Sequence, residues 1–349
     1  MLTPADLEHH LARHPRITLQ PTATPLEPLP RLGAALGLTL AIKRDDLTLM
    51  PFGGNKVRQL EYYFGAAQAE RADTVLVTGA VQSNFVRATA AVAAKLGLDA
   101  VLQLEERVAD VSDTYRASGN VLLDHLMGAH LLSYPVGEDE TGADHAIRAE
   151  AERLRASGKR PYVIPLSADA PPRGALGYVR AAIELAADIA RADMSVDHIV
   201  VPSGSGATHA GLLFGLRALG ITTPVHGACV RRARTPQHAR ITGLLSALAT
   251  LLGVAAPTTI DDVRTHDPAL APGYGQLNDA TCDAIAQMAR LEGQFVDPVY
   301  SAKTLATAIA LTANGTIAPG STVLLIHTGG LPGLFAYAPD LQTRIAARS

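Results

Sequence analysis

The chain has 349 residues, 48% hydrophobic, 18% charged and 4% aromatic, enough for two domains or one large α/β unit. Thirty Lys and Arg against 33 Asp and Glu leave a formal charge of −3 and no basic run to grip nucleic acid, and the apolar content excludes disorder. No apolar window reaches the roughly 18 residues of a membrane span. Residues 1–16 lack the apolar stretch of a signal peptide, so the cytoplasm is the expected compartment. The two cysteines, Cys229 and Cys282, stand far apart and are expected to pack as small apolar side chains, with no disulfide framework and no metal site.

In chain order, strands are expected at 39–43, 74–78, 100–104, 130–133, 162–164, 198–202, 225–229 and 322–327. Helices are expected near 56–71, 84–96, 120–127, 143–156, 176–190, 208–219, 235–252, 279–291 and 302–313, with a further short helix at the N-terminus. The alternation predicts an α/β fold of two domains, each an open, mostly parallel sheet flanked by helices. A small domain over 51–164 is expected, with residues 1–50 joining 165–349 in a larger one. A ligand would then lie at the carboxyl ends of the strands. His10 and His14 fall four apart on the N-terminal helix; lacking a third ligand, they read as a solvated face.

Only five of the basic residues are lysines. Lys95 stands near a helix end before Gly97, and Lys159 lies in a turn; both read as surface charges. Lys56 follows Pro51-Phe52-Gly53-Gly54-Asn55 and opens a helix. Two adjacent glycines allow close backbone approach, and the positive helix end disfavours a protonated amine. Such a lysine suits Schiff-base chemistry, although an ordinary solvated first-turn lysine is the commoner case.

The run Ser203-Gly204-Ser205-Gly206-Ala207-Thr208 follows an apolar strand and enters a helix. Exposed N–H groups and the hydroxyls of Ser205 and Thr208 suit a phosphate. Neither standard nucleotide loop fits: His209 stands where a dinucleotide loop needs glycine, and no Lys-Ser/Thr pair follows Gly211. A plain strand–helix turn remains the alternative. Gln82-Ser83-Asn84-Phe85 joins another strand to a helix, with Ser83 or Asn84 as its N-cap or as an anion contact. Asp297-Pro298-Val299-Tyr300-Ser301 precedes a helix that Ser301 is expected to cap. Tyr274 lies between Gly273 and Gly275, and Thr328-Gly329-Gly330 follows the last strand.

Taken together, Gly-Gly-Asn-Lys, Gln-Ser-Asn, the Gly/Ser/Thr loop, Asp-Pro-Val-Tyr and His-Thr-Gly-Gly resemble the D-cysteine desulfhydrase and 1-aminocyclopropane-1-carboxylate (ACC) deaminase family. These are pyridoxal 5′-phosphate enzymes of fold type II. The resemblance runs from about Lys43 to Tyr337. It implies that Lys56 carries the cofactor and shuttles the α-proton, and that Asn84 bonds the cofactor's 3′-oxygen. Gly204, Ser205, Gly206, Ala207 and Thr208 would cradle its phosphate. Ser301 and Thr328 would face its pyridine ring. Ser83, Asn84, Phe85, Tyr274, Tyr300 and Thr328 would meet a small amino-acid substrate, with Ser83, Tyr274 and Tyr300 assisting catalysis.

ACC deaminases carry Glu where Ser301 stands and Leu where Thr328 stands. Neutral hydroxyls there weaken the electron sink and suit loss of a good β-leaving group, as in conversion of D-cysteine to pyruvate, sulfide and ammonia. The desulfhydrases usually carry His where this chain has Phe85, and the 166–172 segment also departs from their pattern. Alternatives are ACC deamination, elimination on another β-substituted amino acid such as cysteate, and a non-catalytic phosphate-ligand-binding protein. A homodimer is implied by the resemblance; neither nucleic acid nor membrane is an expected partner.

Overall fold

In the computed structural model, which describes residues 1–165 and 170–346, ten strands form two sheets. They are β1 (Leu26–Pro28), β2 (Thr39–Arg44), β3 (Thr74–Ala80), β4 (Asp99–Glu105), β5 (His130–Tyr134), β6 (Pro161–Ile164), β7 (His198–Ser203), β8 (Val225–Cys229), β9 (Arg264–His266) and β10 (Thr322–His327). One sheet has the order β1-β2-β10-β7-β8-β9, the other β5-β4-β3-β6. Only β1 runs antiparallel to its neighbour. Eight strands match the expected ones. The two additional strands, β1 and β9, have three residues each, too few for a hydrophobic period to register.

Strand β10 shows why the sheet lies in the interior. Val323 and Leu325 enter the core on one face, with Ile42 and Val200; Leu324 and Ile326 enter the core on the other, with Ala41 and Ile199. A strand apolar on both faces belongs in the middle of a helix-covered parallel sheet. In the same way β3, at the centre of the four-stranded sheet, is buried along its whole length. No described helix is long and apolar enough to cross a membrane.

One expectation needs correction. The N-terminal helix is Pro4–Leu11, ending before His14, so His10 and His14 do not share its face; His10 Nδ1 lies 3.1 Å from the Leu252 carbonyl. The close approach expected at the Gly53-Gly54 pair is present, and it is to backbone. A Cβ on Gly53 would lie 1.7 Å from the Asp46 carbonyl oxygen, and one on Gly54 would lie 3.1 Å from that of Thr328. Both cysteines are buried, and neither is in a disulfide. Of the divergent segment noted above, residues 166–169 lie outside the described residues.

The helix Lys56–Ala69 packs between Asn84–Leu96 and Leu176–Arg191, and ionic contacts fix its first turn. Arg58 donates to Asp45 from Nε (2.9 Å) and Nη2 (2.8 Å), and to Glu184 from Nη1 (2.8 Å). Lys43 joins Glu184 (2.6 Å) and Asp188 (2.5 Å), and the Tyr178 hydroxyl donates to Asp45. Burial pushes the Asp45 carboxyl up, but Arg58, Tyr178 and Thr24 together hold it below its usual range. Replacing Arg58 by Leu leaves the buried Asp45 without its cation, although Glu184 keeps Lys43, and is expected to cost about 3–5 kcal/mol, read by urea unfolding. A variant as stable as the parent would show that the cluster does not anchor this helix.

Candidate active site

Lys56 begins its helix directly after Asn55 and lines a cleft between the two sheets. Desolvation lowers its amine to about 8. Burial is the cause here; the helix-end field invoked from the sequence is not needed. Nζ lies 5.6 Å from the centre of the Phe85 ring, an apolar wall that hydrates it poorly. The turn carrying Lys56 is tied to the glycine-rich loop: Asn55 Nδ2 (2.7 Å) and Gln59 Nε2 (2.9 Å) both donate to Thr208 Oγ1.

Gly204, Ser205 and Ala207 line the same cleft. Gly206 is the left-handed N-cap of the helix Ala207–Ala218, with φ 99°, and a Cβ there would meet Leu244 Cδ1 at 2.6 Å. Only glycine fits. The loop carbonyls are engaged from behind: Arg232 and Gln237 donate to Gly204 O at 3.2 and 3.1 Å, and Arg240 donates to Ser205 O at 2.7 Å. The N–H groups of Ser205 through Thr208 donate to no acceptor among the described residues. Carbonyls held back and unpartnered N–H groups at a helix start make an anion cradle.

Ser83 caps the helix Asn84–Leu96 through Oγ, which accepts from Val86 N at 3.3 Å, and also lines the cleft. Asn120 Nδ2 donates to Asn84 Oδ1 (2.9 Å), so the amide of Asn84 keeps Nδ2 as its donor. Tyr274 and Tyr300 line the cleft with their hydroxyls 2.8 Å apart. Burial pushes both phenols up; the nearby Arg107 guanidinium opposes this.

Ser301 does not cap its helix as expected. Asp297 does, accepting from the N–H groups of Val299 (3.0 Å), Tyr300 (2.9 Å) and Ser301 (2.7 Å). The two oxygens of one carboxylate reach all three donors. Ser301 Oγ is thereby left near Thr328 Oγ1, at 3.4 Å, and Gly329 O, at 3.3 Å.

The cleft thus brings together Lys56, Ser83, Phe85, Gly204, Ser205, Ala207, Tyr274 and Tyr300 from distant parts of the chain. Asn84, Gly206, Thr208, Ser301 and Thr328 are not in its lining. Sequence reasoning missed Gln59, Arg107, Arg231 and Arg240, which also line it. Arg107, just past the end of β4, carried one signal: a charge at the carboxyl end of a parallel strand. Lys303 was passed over too; buried, it donates to Leu270 O (3.1 Å) and Gly273 O (3.0 Å) and so holds the loop before Tyr274.

An amine of pKa about 8 is half neutral at pH 8, whereas Lys159, raised by its pairing with Asp99, is almost wholly protonated there. Acetylation of protein free of small molecules, followed by peptide mass spectrometry, is expected to label Lys56 ahead of Lys159 at pH 8, with a midpoint near 8. Equal labelling would show Lys56 to be an ordinary surface amine.

The family model described as "Pyridoxal-phosphate dependent enzyme" matches residues 17–329. D-cysteine desulfhydrases of Salmonella choleraesuis (strain SC-B67) and Salmonella paratyphi C (strain RKS4594) are each 42% identical over 333 residues, covering 95% of this chain and 99% of theirs. The solved structure of an ACC deaminase homologue superposes with a TM-score of 0.85 at 36% identity, covering 97% of this chain and 98% of that one. An O-ureido-L-serine synthase, 19% identical with a TM-score of 0.64 and 94% of each chain covered, shares the fold. A family match across most of the chain, in a fold of two parallel sheets, places this protein among the pyridoxal-phosphate-dependent enzymes of fold type II.

Proposed function

We propose that this chain is a lyase catalysing α,β-elimination on a small β-substituted amino acid, with D-cysteine as the reference substrate giving pyruvate, sulfide and ammonia. One observation carries the reading: the desolvated amine of Lys56 shares a cleft with the N–H cradle of Gly204–Thr208. The residues fit the cofactor. An aldehyde needs a neutral amine, and a phosphate needs unpartnered N–H groups with a hydroxyl hydrogen, which Thr208 retains after accepting two bonds.

Bound pyridoxal 5′-phosphate supplies an electron sink for the α-carbon. The chain's own residues do the rest. Lys56 would hold the cofactor's aldehyde and, when free of it, would take the substrate's α-proton on Nζ. Asn84 would donate from Nδ2 to the cofactor's 3′-oxygen. Ser83 Oγ and the first N–H groups of its helix bind the substrate carboxylate. The Tyr274–Tyr300 pair holds a proton at the β-substituent, where a phenol can protonate the leaving atom. Phe85 keeps water from the amine.

Ser301 and Thr328 are assigned to the pyridine ring. Their neutral hydroxyls, 3.4 Å apart, favour loss of a good leaving group over opening of a cyclopropane. The proposal includes a small unit of residues 51–164 and a large one of 1–50 plus 165–349, supported by the strands that each sheet contains. It extends to a cytoplasmic homodimer, the assembly that the family resemblance implies.

Lys56→Ala is expected to abolish turnover, and borohydride treatment is expected to leave a pyridoxyl group on position 56 of the parent only, read by mass spectrometry. Full activity in the variant would sink the reading. Ser301→Glu combined with Thr328→Leu is expected to shift keto-acid release from D-cysteine toward ACC. An unchanged ratio of the two activities would remove the role given to these hydroxyls.

A further inference from the structure

The described lining of the cleft holds four basic side chains, Lys56, Arg107, Arg231 and Arg240, and no carboxylate. Glu105, Glu138 and Glu140, which pair with the arginines, are not part of that lining. Arg231 and Arg240 converge on Glu140 beside the glycine-rich loop, on the side of the cleft assigned to the phosphate. Arg107 stands elsewhere. Its guanidinium lies 5.9 Å from the centre of the Tyr274 ring, next to the phenol pair that the proposed reading places at the β-substituent.

Arg107 is also fixed in place. Its side chain is 6% exposed, and the fully buried Glu105 accepts from Nε at 2.9 Å and from Nη2 at 2.7 Å. Thr78 Oγ1 donates to Glu105 as well, at 2.9 Å, holding the carboxylate itself. Nη1 is the nitrogen that Glu105 does not engage. A planar guanidinium held along one edge loses little entropy when its remaining N–H groups meet an anion. The α-carboxylate already has the helix start at Ser83, which leaves the side-chain end of the substrate for Arg107.

We propose that Arg107 is the specificity-determining residue of this cleft and selects amino acids whose β-substituent carries negative charge. A thiolate is favoured over a neutral leaving group, and a sulfonate, charged at every physiological pH, is favoured over both. The inference rests on the elimination reading given above. With cysteate, the α-proton passes to Lys56 and the C–S bond breaks, its electron pair leaving with sulfite. One water then converts the remaining enamine to pyruvate and ammonia, so atoms balance and no oxidant or reductant is required.

The test uses the holoenzyme with both enantiomers of cysteate and of β-chloroalanine, whose leaving group is neutral while attached. Calorimetric binding of 3-sulfopropanoate and of propanoate, which lack the reacting amine, supplies a readout apart from turnover. In Arg107→Leu, the ratio of kcat/KM for cysteate to that for β-chloroalanine is expected to fall roughly tenfold or more, and 3-sulfopropanoate binding is expected to weaken by a similar factor, ahead of any change for propanoate. Because loss of the guanidinium would leave Glu105 unpaired, Arg107→Leu with Glu105→Gln is measured beside it and is expected to show the same shift.

Equal losses for both substrates and both ligands, or no loss, would overturn the role of Arg107. Absence of β-chloroalanine turnover together with absence of a borohydride-fixed pyridoxyl group on Lys56 would instead overturn the elimination reading itself. The two failures are therefore distinct.

Discussion

The cluster in which Arg58 bridges Asp45 and Glu184 carries the heaviest constraint in this structure. Removing several charges from water is costly unless each finds its partner, so the segments that bear them have a single well-satisfied arrangement. Those segments are the end of β2, the first turn of Lys56–Ala69 and the helix Leu176–Arg191. Lys56 stands two residues before Arg58, on the turn that the cluster holds. Its own polar contacts can therefore be few, and an amine with few polar contacts is one that desolvation can deprotonate.

The same economy recurs around the glycine-rich loop. Its carbonyls are engaged by Arg232, Gln237 and Arg240, side chains contributed by the segment after β8 and the helix Arg234–Leu252. Asn55 and Gln59 reach Thr208 from the other side of the cleft. The lysine turn and the anion cradle are thus one hydrogen-bonded unit. A cofactor with an aldehyde at one end and a phosphate at the other needs that rigid spacing, because the cost of aligning two loosely held loops would otherwise weaken binding.

Much of the fold was legible in the sequence. Eight of the ten strands and the main helices announce themselves through apolar runs, helical periods and glycine stops such as Gly97, Gly253 and Gly293. What escaped did so for local reasons. Strands β1 and β9 are three residues long. Asp297 took the cap expected of Ser301, because a preceding Asp-Pro turn can fold its carboxylate back over three N–H groups, and a pattern search for N-caps looks only at the adjacent residue.

The candidate site divides along the same line. Lys56, the Gly204–Thr208 loop, Ser83 and the two tyrosines were visible because their chemistry is written in short contiguous motifs. The sequence by itself determined the alternation of strands and helices and singled out Lys56 as the candidate amine and 204–208 as the candidate phosphate loop, since each depends on neighbours within a few residues. Only the tertiary structure decided that Lys56 is desolvated, that Asn55 and Gln59 grip Thr208, and that Arg107 stands against Tyr274. Those pairings join positions about 150 to 170 apart in the chain, and no local pattern encodes a contact that exists only once two sheets have packed.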